Sequence, residues 1–156
     1  MNDKSKSQFI EYFLKGIKKK DQLKIGVEHE RFLFTGKDNK RIDYDTLKKL
    51  FANLKLNNWL PIYEGGNVIG MQRGKQQITT EPGFQCELSG EPLENIHKVC
   101  SESSNFLNEI KRASEGLDIT TISIAFDPYN NFEDIPKSQK ERYRIMTTEM
   151  PKEGKK

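Results

Sequence analysis

The sequence predicts an α+β fold, with a mainly antiparallel sheet and flanking helices. Three observations carry this. Apolar residues recur at helical spacing in separate stretches of the chain. Between two of them runs a series of short strand-like segments punctuated by glycine turns. The order helix, strand, helix, meander, helix, strand also lacks the regular strand–helix alternation of a parallel sheet.

Taken in order, residues 8–18 place Phe9, Ile10, Phe13, Leu14 and Ile17 on one helical face, with Ser5 or Ser7 as cap. Lys18, Lys19 and Lys20 then read as a solvated helix end. Residues 24–34, "KIGVEHERFLF", read as a strand, and "TGKDNK" as a turn. A helix is expected over 45–55, with Leu47, Leu50, Phe51 and Leu54 inward and Asp43 or Asp45 as cap. The segments "NWLPIYE", "VIGMQ" and "QITTE" form a meander, broken at Pro82-Gly83 and resuming through Leu88. Residues 92–115 predict the longest helix, with Pro92 in its first turn and Gly116 as its stop. Its apolar set is Leu93, Ile96, Val99, Cys100, Leu107, Ile110 and Ala113. "ITTISIAF" reads as a buried strand, "DPYNNFEDIPKSQ" as loop, and "KERYRIMTTEM" as a helix closed by Pro151.

Composition bounds the function. The chain has 156 residues, 34% hydrophobic and 31% charged, which suits one domain with much polar surface. Net charge is only +3, and no basic stripe interleaves with aromatics, which argues against nucleic acid as a partner. No apolar run approaches a membrane span, and the acidic residues near the start do not suit a transit peptide. Two cysteines are too few for a disulfide framework, so a cytoplasmic, reducing location is the default.

The strand-like stretch 24–34 carries Glu28 and Glu30 two residues apart. On a strand they share a face at about 7 Å between Cα atoms, where unpaired carboxylates repel. Glu81 and Glu87 flank the "EPGFQCE" bend at an even spacing and form a second acidic pair. Four carboxylates on two extended segments are the hard oxygen donors that Mg²⁺ takes when it bridges to phosphate. They equally suit an exposed polar surface. His29 points to the opposite face and reads as a hydrogen-bonded structural residue. His97 falls on the apolar face of the long helix as core or semi-core, and Cys100 beside it reads as a buried, inert thiol. "RGK" at 73–75 reads as a solvated hairpin tip that could touch phosphate. The chain carries neither a Walker-type loop nor G-x-G-x-x-G.

Three blocks carry a resemblance: "IGVEHERF" (25–32), "EGGNVIGMQRGKQQITTEPGFQCELSGEPLENIHKVCSE" (64–102) and "RYRIMTTEMPKEG" (142–154). Together they resemble, in register, the plant and proteobacterial type of glutamate–cysteine ligase. The resemblance implies an incomplete glutamine-synthetase-like ligase domain whose sheet holds Mg²⁺ and ATP through glutamates. It implies ATP-dependent joining of the glutamate γ-carboxyl to the cysteine amine through a γ-glutamyl phosphate, the first step of glutathione synthesis. By that likeness Glu28, Glu30, Glu81 and Glu87 are metal-ligand candidates. Arg142, Tyr143 and Met146 fall in a segment expected to line the substrate pocket, with Arg142 on a carboxylate. Tyr143 and Met146 equally suit helix core.

Cys100 matches a family cysteine associated with a redox-sensitive disulfide, and its family partner lies beyond this chain. Phe84 stands where the family carries a second glycine after Pro-Gly, which puts the bend geometry in question. The family is much longer than this chain, so a partial enzyme with an incomplete sheet is expected, and with it self-association. A non-catalytic relic of the fold, or a γ-glutamyl ligase for another amine, is the alternative.

Overall fold

The computed structural model describes residues 3–153. Among these residues four α-helices and seven strands follow in the order α1 (Asp3–Lys15), β1 (Glu28–Thr35), β2 (Lys40–Arg41), α2 (Tyr44–Leu54), β3 (Leu60–Glu64), β4 (Asn67–Arg73), β5 (Gln76–Glu81), β6 (Gln85–Ser89), α3 (Ile96–Ala113), β7 (Ile119–Ile122) and α4 (Glu141–Glu153). All strand pairings are antiparallel. The sheet runs β2-β1-β6-β5-β4-β3, and β7 also pairs with β1. β1 is the hinge of this order. Its first half, Glu28–Arg31, pairs with β6, and its second half, Phe32–Thr35, pairs with β7.

The two faces of the sheet differ in chemistry. Leu33, Met71, Ile78, Cys86 and Leu88 turn to one side and join a core with Leu47, Leu50, Phe51 and Leu54 of α2 and Phe106, Ile110 and Ala113 of α3. Ile42, Trp59 and Phe84 complete it. α2 buries the four residues its spacing predicts, and Asp43 caps it, accepting from Thr46 N at 2.7 Å. The alternating partners of the core residues carry Glu, Gln, Thr and Ser to the other side.

Several expectations are corrected. α1 begins earlier than its apolar spacing predicts, so Ser5 and Ser7 lie within it and Ile17 lies beyond it. Its apolar face is open: Phe9, Ile10, Phe13 and Leu14 are all exposed. α3 starts at Ile96 with Asn95 as cap, which leaves Pro92 outside. The buried face of α3 is Val99, Glu102, Phe106, Glu109, Ile110 and Ala113; Ile96, His97, Cys100 and Leu107 are exposed. β7 is four residues long and only half-buried, with Thr120 exposed. Pro151 sits inside α4 rather than closing it, and α4 buries no residue. Isolated helices of this length are marginal in water, so α4 depends on its tertiary contacts.

The two acids on α3 are held by polar partners. Glu109 accepts from Trp59 Nε1 at 2.8 Å and from Arg73 Nη1 at 2.8 Å. Glu102 accepts from Gln76 Nε2 at 2.7 Å and from the Glu91 amide at 2.9 Å. Arg73 is therefore no solvated hairpin tip. Its guanidinium lies over the Trp59 ring, 4.3 Å from the centroid, and ties the β4–β5 hairpin to α3.

Candidate functional site

The strand register brings the four sequence-predicted glutamates onto the polar face. Glu30 stands opposite Glu87, Glu28 opposite Ser89, Thr79 opposite Glu87, and Glu81 opposite Gln85. Glu30 and Glu87 are thus direct cross-strand neighbours, with Cβ atoms about 4.5–5.5 Å apart. Glu81 and Glu87 share the face for a reason other than a continuous strand. The chain turns through Pro82–Phe84, and the two glutamates sit on adjacent strands of a hairpin.

Two like charges placed this way need polar neighbours, and they have them. Glu30 accepts from Gln85 Nε2 at 2.7 Å. Glu87 accepts from Ser89 Oγ at 3.1 Å and from Thr79 Oγ1 at 3.3 Å. Neutral donors of this kind stabilise a carboxylate without cancelling its charge. Glu81 is different, because α4 supplies its partners. Arg142 Nη2 donates to Glu81 Oε1 at 2.8 Å, and the Tyr143 hydroxyl donates to Glu81 Oε2. Arg142 Nη2 also donates to the Tyr143 hydroxyl at 2.6 Å, and the guanidinium lies 4.7 Å from the ring centroid. Burial, reinforced by its bond to Glu81, pushes the Tyr143 phenol up to about 12, so it stays a donor. The bond to Tyr143 raises Arg142.

Lys140 completes the group. It is buried, with Nζ 4.0 Å from Glu81 Oε1. Burial, helped by the nearby Arg142 charge, lowers its ammonium, while Glu81, Glu87 and Glu64 act in the opposite sense. Glu64, at the end of β3, accepts from the Glu141 amide at 2.6 Å and so docks the start of α4. Met146 is exposed one turn beyond Arg142, so neither it nor Tyr143 is helix core. No sequence signal marked Lys140 or Glu64, whose roles depend on contacts between distant segments.

The other candidates fall elsewhere. His29 faces away from the glutamates as predicted, but its buried Nε2 has no hydrogen-bond partner among the described residues. His97 and Cys100 are exposed on α3, so Cys100 is not the buried thiol its apolar spacing implied. Cys86 is the buried one, and burial pushes its thiol up to about 12.

The donors fit a hard divalent cation in kind and in sharing one face. Among the described residues, no three acidic, histidine or cysteine side chains already converge to hold one. Glu28 makes no side-chain hydrogen bond or ion pair among those residues, whereas Glu30, Glu87 and Glu81 are each turned to the partners given above.

Residues 24–156 match the family described as Glutamate-cysteine ligase family 2 (GCS2), and the chain belongs to that family. Similar proteins include the chloroplastic glutamate–cysteine ligases of Medicago truncatula and Arabidopsis thaliana, each 39% identical over 151 residues. Glutamate–cysteine ligase A, chloroplastic, of Oryza sativa subsp. japonica is 40% identical over the same length. Each alignment covers 96% of this chain and 29–31% of the relative. The chain therefore spans under a third of the length of these relatives. No helix among the described residues is long and apolar enough to cross a membrane.

Proposed function

We propose that residues 1–156 form one unit, the N-terminal part of an ATP-dependent glutamate–cysteine ligase domain. The observation that carries this is the placement of Glu28, Glu30, Glu81 and Glu87 on one sheet face beside Arg142 and Tyr143, in a chain of this family. In the reaction, a γ-carboxylate oxygen of L-glutamate attacks the γ-phosphorus of ATP, and ADP leaves. The amine of L-cysteine then attacks the acyl carbon of the γ-glutamyl phosphate. The C–O bond breaks, inorganic phosphate departs, and the amine gives up a proton to solvent.

The four glutamates are the residues that would hold Mg²⁺, which supplies charge neutralisation of the triphosphate when bound. The guanidinium of Arg142 and the hydroxyl of Tyr143 orient a substrate carboxylate by paired donation. Met146, at i+4 from Arg142, offers an apolar wall on the same side of α4. The test is calorimetric titration of ATP with and without Mg²⁺. ATP should bind only with Mg²⁺, and Glu87→Gln should weaken that binding by about tenfold or more. Binding indifferent to Mg²⁺, or to the substitution, overturns the reading.

The same proposal includes a reducing, cytoplasmic setting, which suits the free thiols of Cys86 and Cys100. It also includes self-association. β3 ends the strand path and exposes Leu60 and Tyr63. Size-exclusion chromatography across a concentration series should show apparent mass rising with concentration. A monomer at every concentration rules this out.

A further inference from the structure

We propose that Glu81 is a switch between the acidic sheet face and the Arg142–Tyr143 clamp, so that a divalent cation and a substrate carboxylate bind this protein cooperatively. The inference rests on the ligase reading above and adds to it a coupling between two of its ligands.

Glu81 belongs to two sites at once. By register it lies on the face of Glu28, Glu30 and Glu87, and it is a diagonal neighbour of Glu87. Diagonal Cα atoms on adjacent strands lie about 7–8 Å apart, within reach of two glutamate side chains that turn toward each other. Yet both of its oxygens are taken by α4, one by the Arg142 guanidinium and one by the Tyr143 hydroxyl. A guanidinium and a phenol that grip both oxygens of one carboxylate form a site for any carboxylate. Glu81 is its internal occupant.

The Arg142 side chain is 58% exposed, so water screens its ion pair with the half-buried Glu81. Lys140, buried with Nζ 4.0 Å from Glu81 Oε1, is the partner that sets the cost of the exchange. The acidic face, in contrast, sets Glu30 against Glu87, and every side-chain hydrogen bond given to those two carboxylates comes from a neutral donor. A Glu81 carboxylate that turns to join Glu87 in holding a cation leaves Arg142 and Tyr143 free for a substrate carboxylate. A carboxylate that fills the clamp releases Glu81 to the face. Linkage makes the two effects equal in size.

The test uses the full 156-residue chain, with L-glutamate and Mn²⁺ as probes. Calorimetry reads L-glutamate affinity with and without Mn²⁺, and electron paramagnetic resonance reads Mn²⁺ affinity with and without L-glutamate. Each ligand should tighten the other by about tenfold, the same factor in both directions. In Glu81→Gln the coupling should vanish, and L-glutamate should bind without Mn²⁺ as tightly as the wild type does with it. In Arg142→Gln, Mn²⁺ should bind more tightly than in the wild type while L-glutamate binding is lost.

Independent binding of the two ligands in the wild type, full coupling in Glu81→Gln, or no Mn²⁺ binding at all overturns the switch. Loss of Mn²⁺ binding in Glu30→Gln and Glu87→Gln supports the underlying site even where the switch fails. Mn²⁺ binding that ignores both of those substitutions overturns the ligase reading itself.

Discussion

Arg41→Ala is expected to destabilise the protein by about 3–5 kcal/mol, the cost of leaving a buried charge without its partner. Arg41 belongs to the two-residue strand β2 and is 7% exposed. Its guanidinium lies 4.4 Å from the Phe32 ring centroid and 5.8 Å from that of Phe34. Nη2 donates to the Gly83 carbonyl and Nη1 to Asp127 Oδ2 at 3.4 Å. Burial lowers the Arg41 guanidinium and Asp127 offsets part of that, but an arginine remains charged at any ordinary pH.

Asp127 in turn organises the loop after β7, accepting from the Tyr129 amide at 2.9 Å and the Asn130 amide at 3.2 Å. Removing Arg41 therefore strands a side chain that is 6% exposed. It also frees the carbonyl of the turn that follows Glu81. Arg41→Lys should recover little, because one ammonium cannot reproduce the fork that reaches both acceptors. Arg41→Met with Asp127→Asn should recover more than either single change, since neither leaves an unpaired charge.

The pH dependence has a definite sign. Burial would raise Asp127, but the Tyr129 and Asn130 amides, the Asn130 side chain and Arg41 together hold it below 3.8. A lowered folded value means that its stabilisation is present above the unfolded value and lost as pH falls through the folded one. The gap between wild type and Arg41→Ala should thus be full at neutral pH and narrow in that acid range. Urea denaturation at several pH values measures it. A loss below about 1 kcal/mol at pH 7 would mean that water already reaches the pair.

Arg41 also marks the limit of what the sequence discloses. In "NKRID" it reads as one more charge near a turn, and its partner lies 86 residues away. Elements defined by local chemistry are legible: α2 with its Asp43 cap, the hairpins of the meander, and the alternation that places Glu28 and Glu30 on one face. Features set by contacts between distant segments are not. The buried Glu102 and Glu109 sit on α3 because Gln76, Trp59 and Arg73 reach them from other elements. Periodicity gave α3 an apolar stripe that includes Ile96, Cys100 and Leu107, and the real stripe is rotated toward those polar partners. The apolar spacing marks α1 as a helix but misplaces its bounds, and Phe9, Ile10, Phe13 and Leu14 on its apolar face are exposed. Glu81 was legible as an acid beside a turn. That α4 would grip both of its oxygens was not, since Arg142 and Tyr143 are some sixty residues downstream.

Phe84→Ala is expected to cost about 3–5 kcal/mol, as for other buried phenylalanines. Phe84→Gly is expected to cost less, which reverses the usual order of the two. The turn between β5 and β6 holds Gly83 at φ 72° and Phe84 at φ 57°. Two successive residues in the left-handed region are ordinary for glycine and strained for a bulky side chain, by about 1–2 kcal/mol. Gly83 leaves no choice, since a Cβ there would lie 2.6 Å from Ile135 Cγ2.

Phe84 endures its strain because its ring is buried, 2% exposed, with its centroid 6.0 Å from that of Tyr44. The phenylalanine ring anchors the turn in the core. Alanine loses the ring and keeps the strain; glycine loses the ring and sheds it. Glycine's greater freedom in the unfolded chain costs it about 0.5–1 kcal/mol, so the glycine variant should emerge ahead by up to about 1 kcal/mol. Equilibrium denaturation of the three proteins gives the ranking wild type, glycine, alanine. Alanine above glycine would mean that the backbone of the free turn prefers this conformation without help from the core, and that the Glu81 hairpin is set by its strands alone.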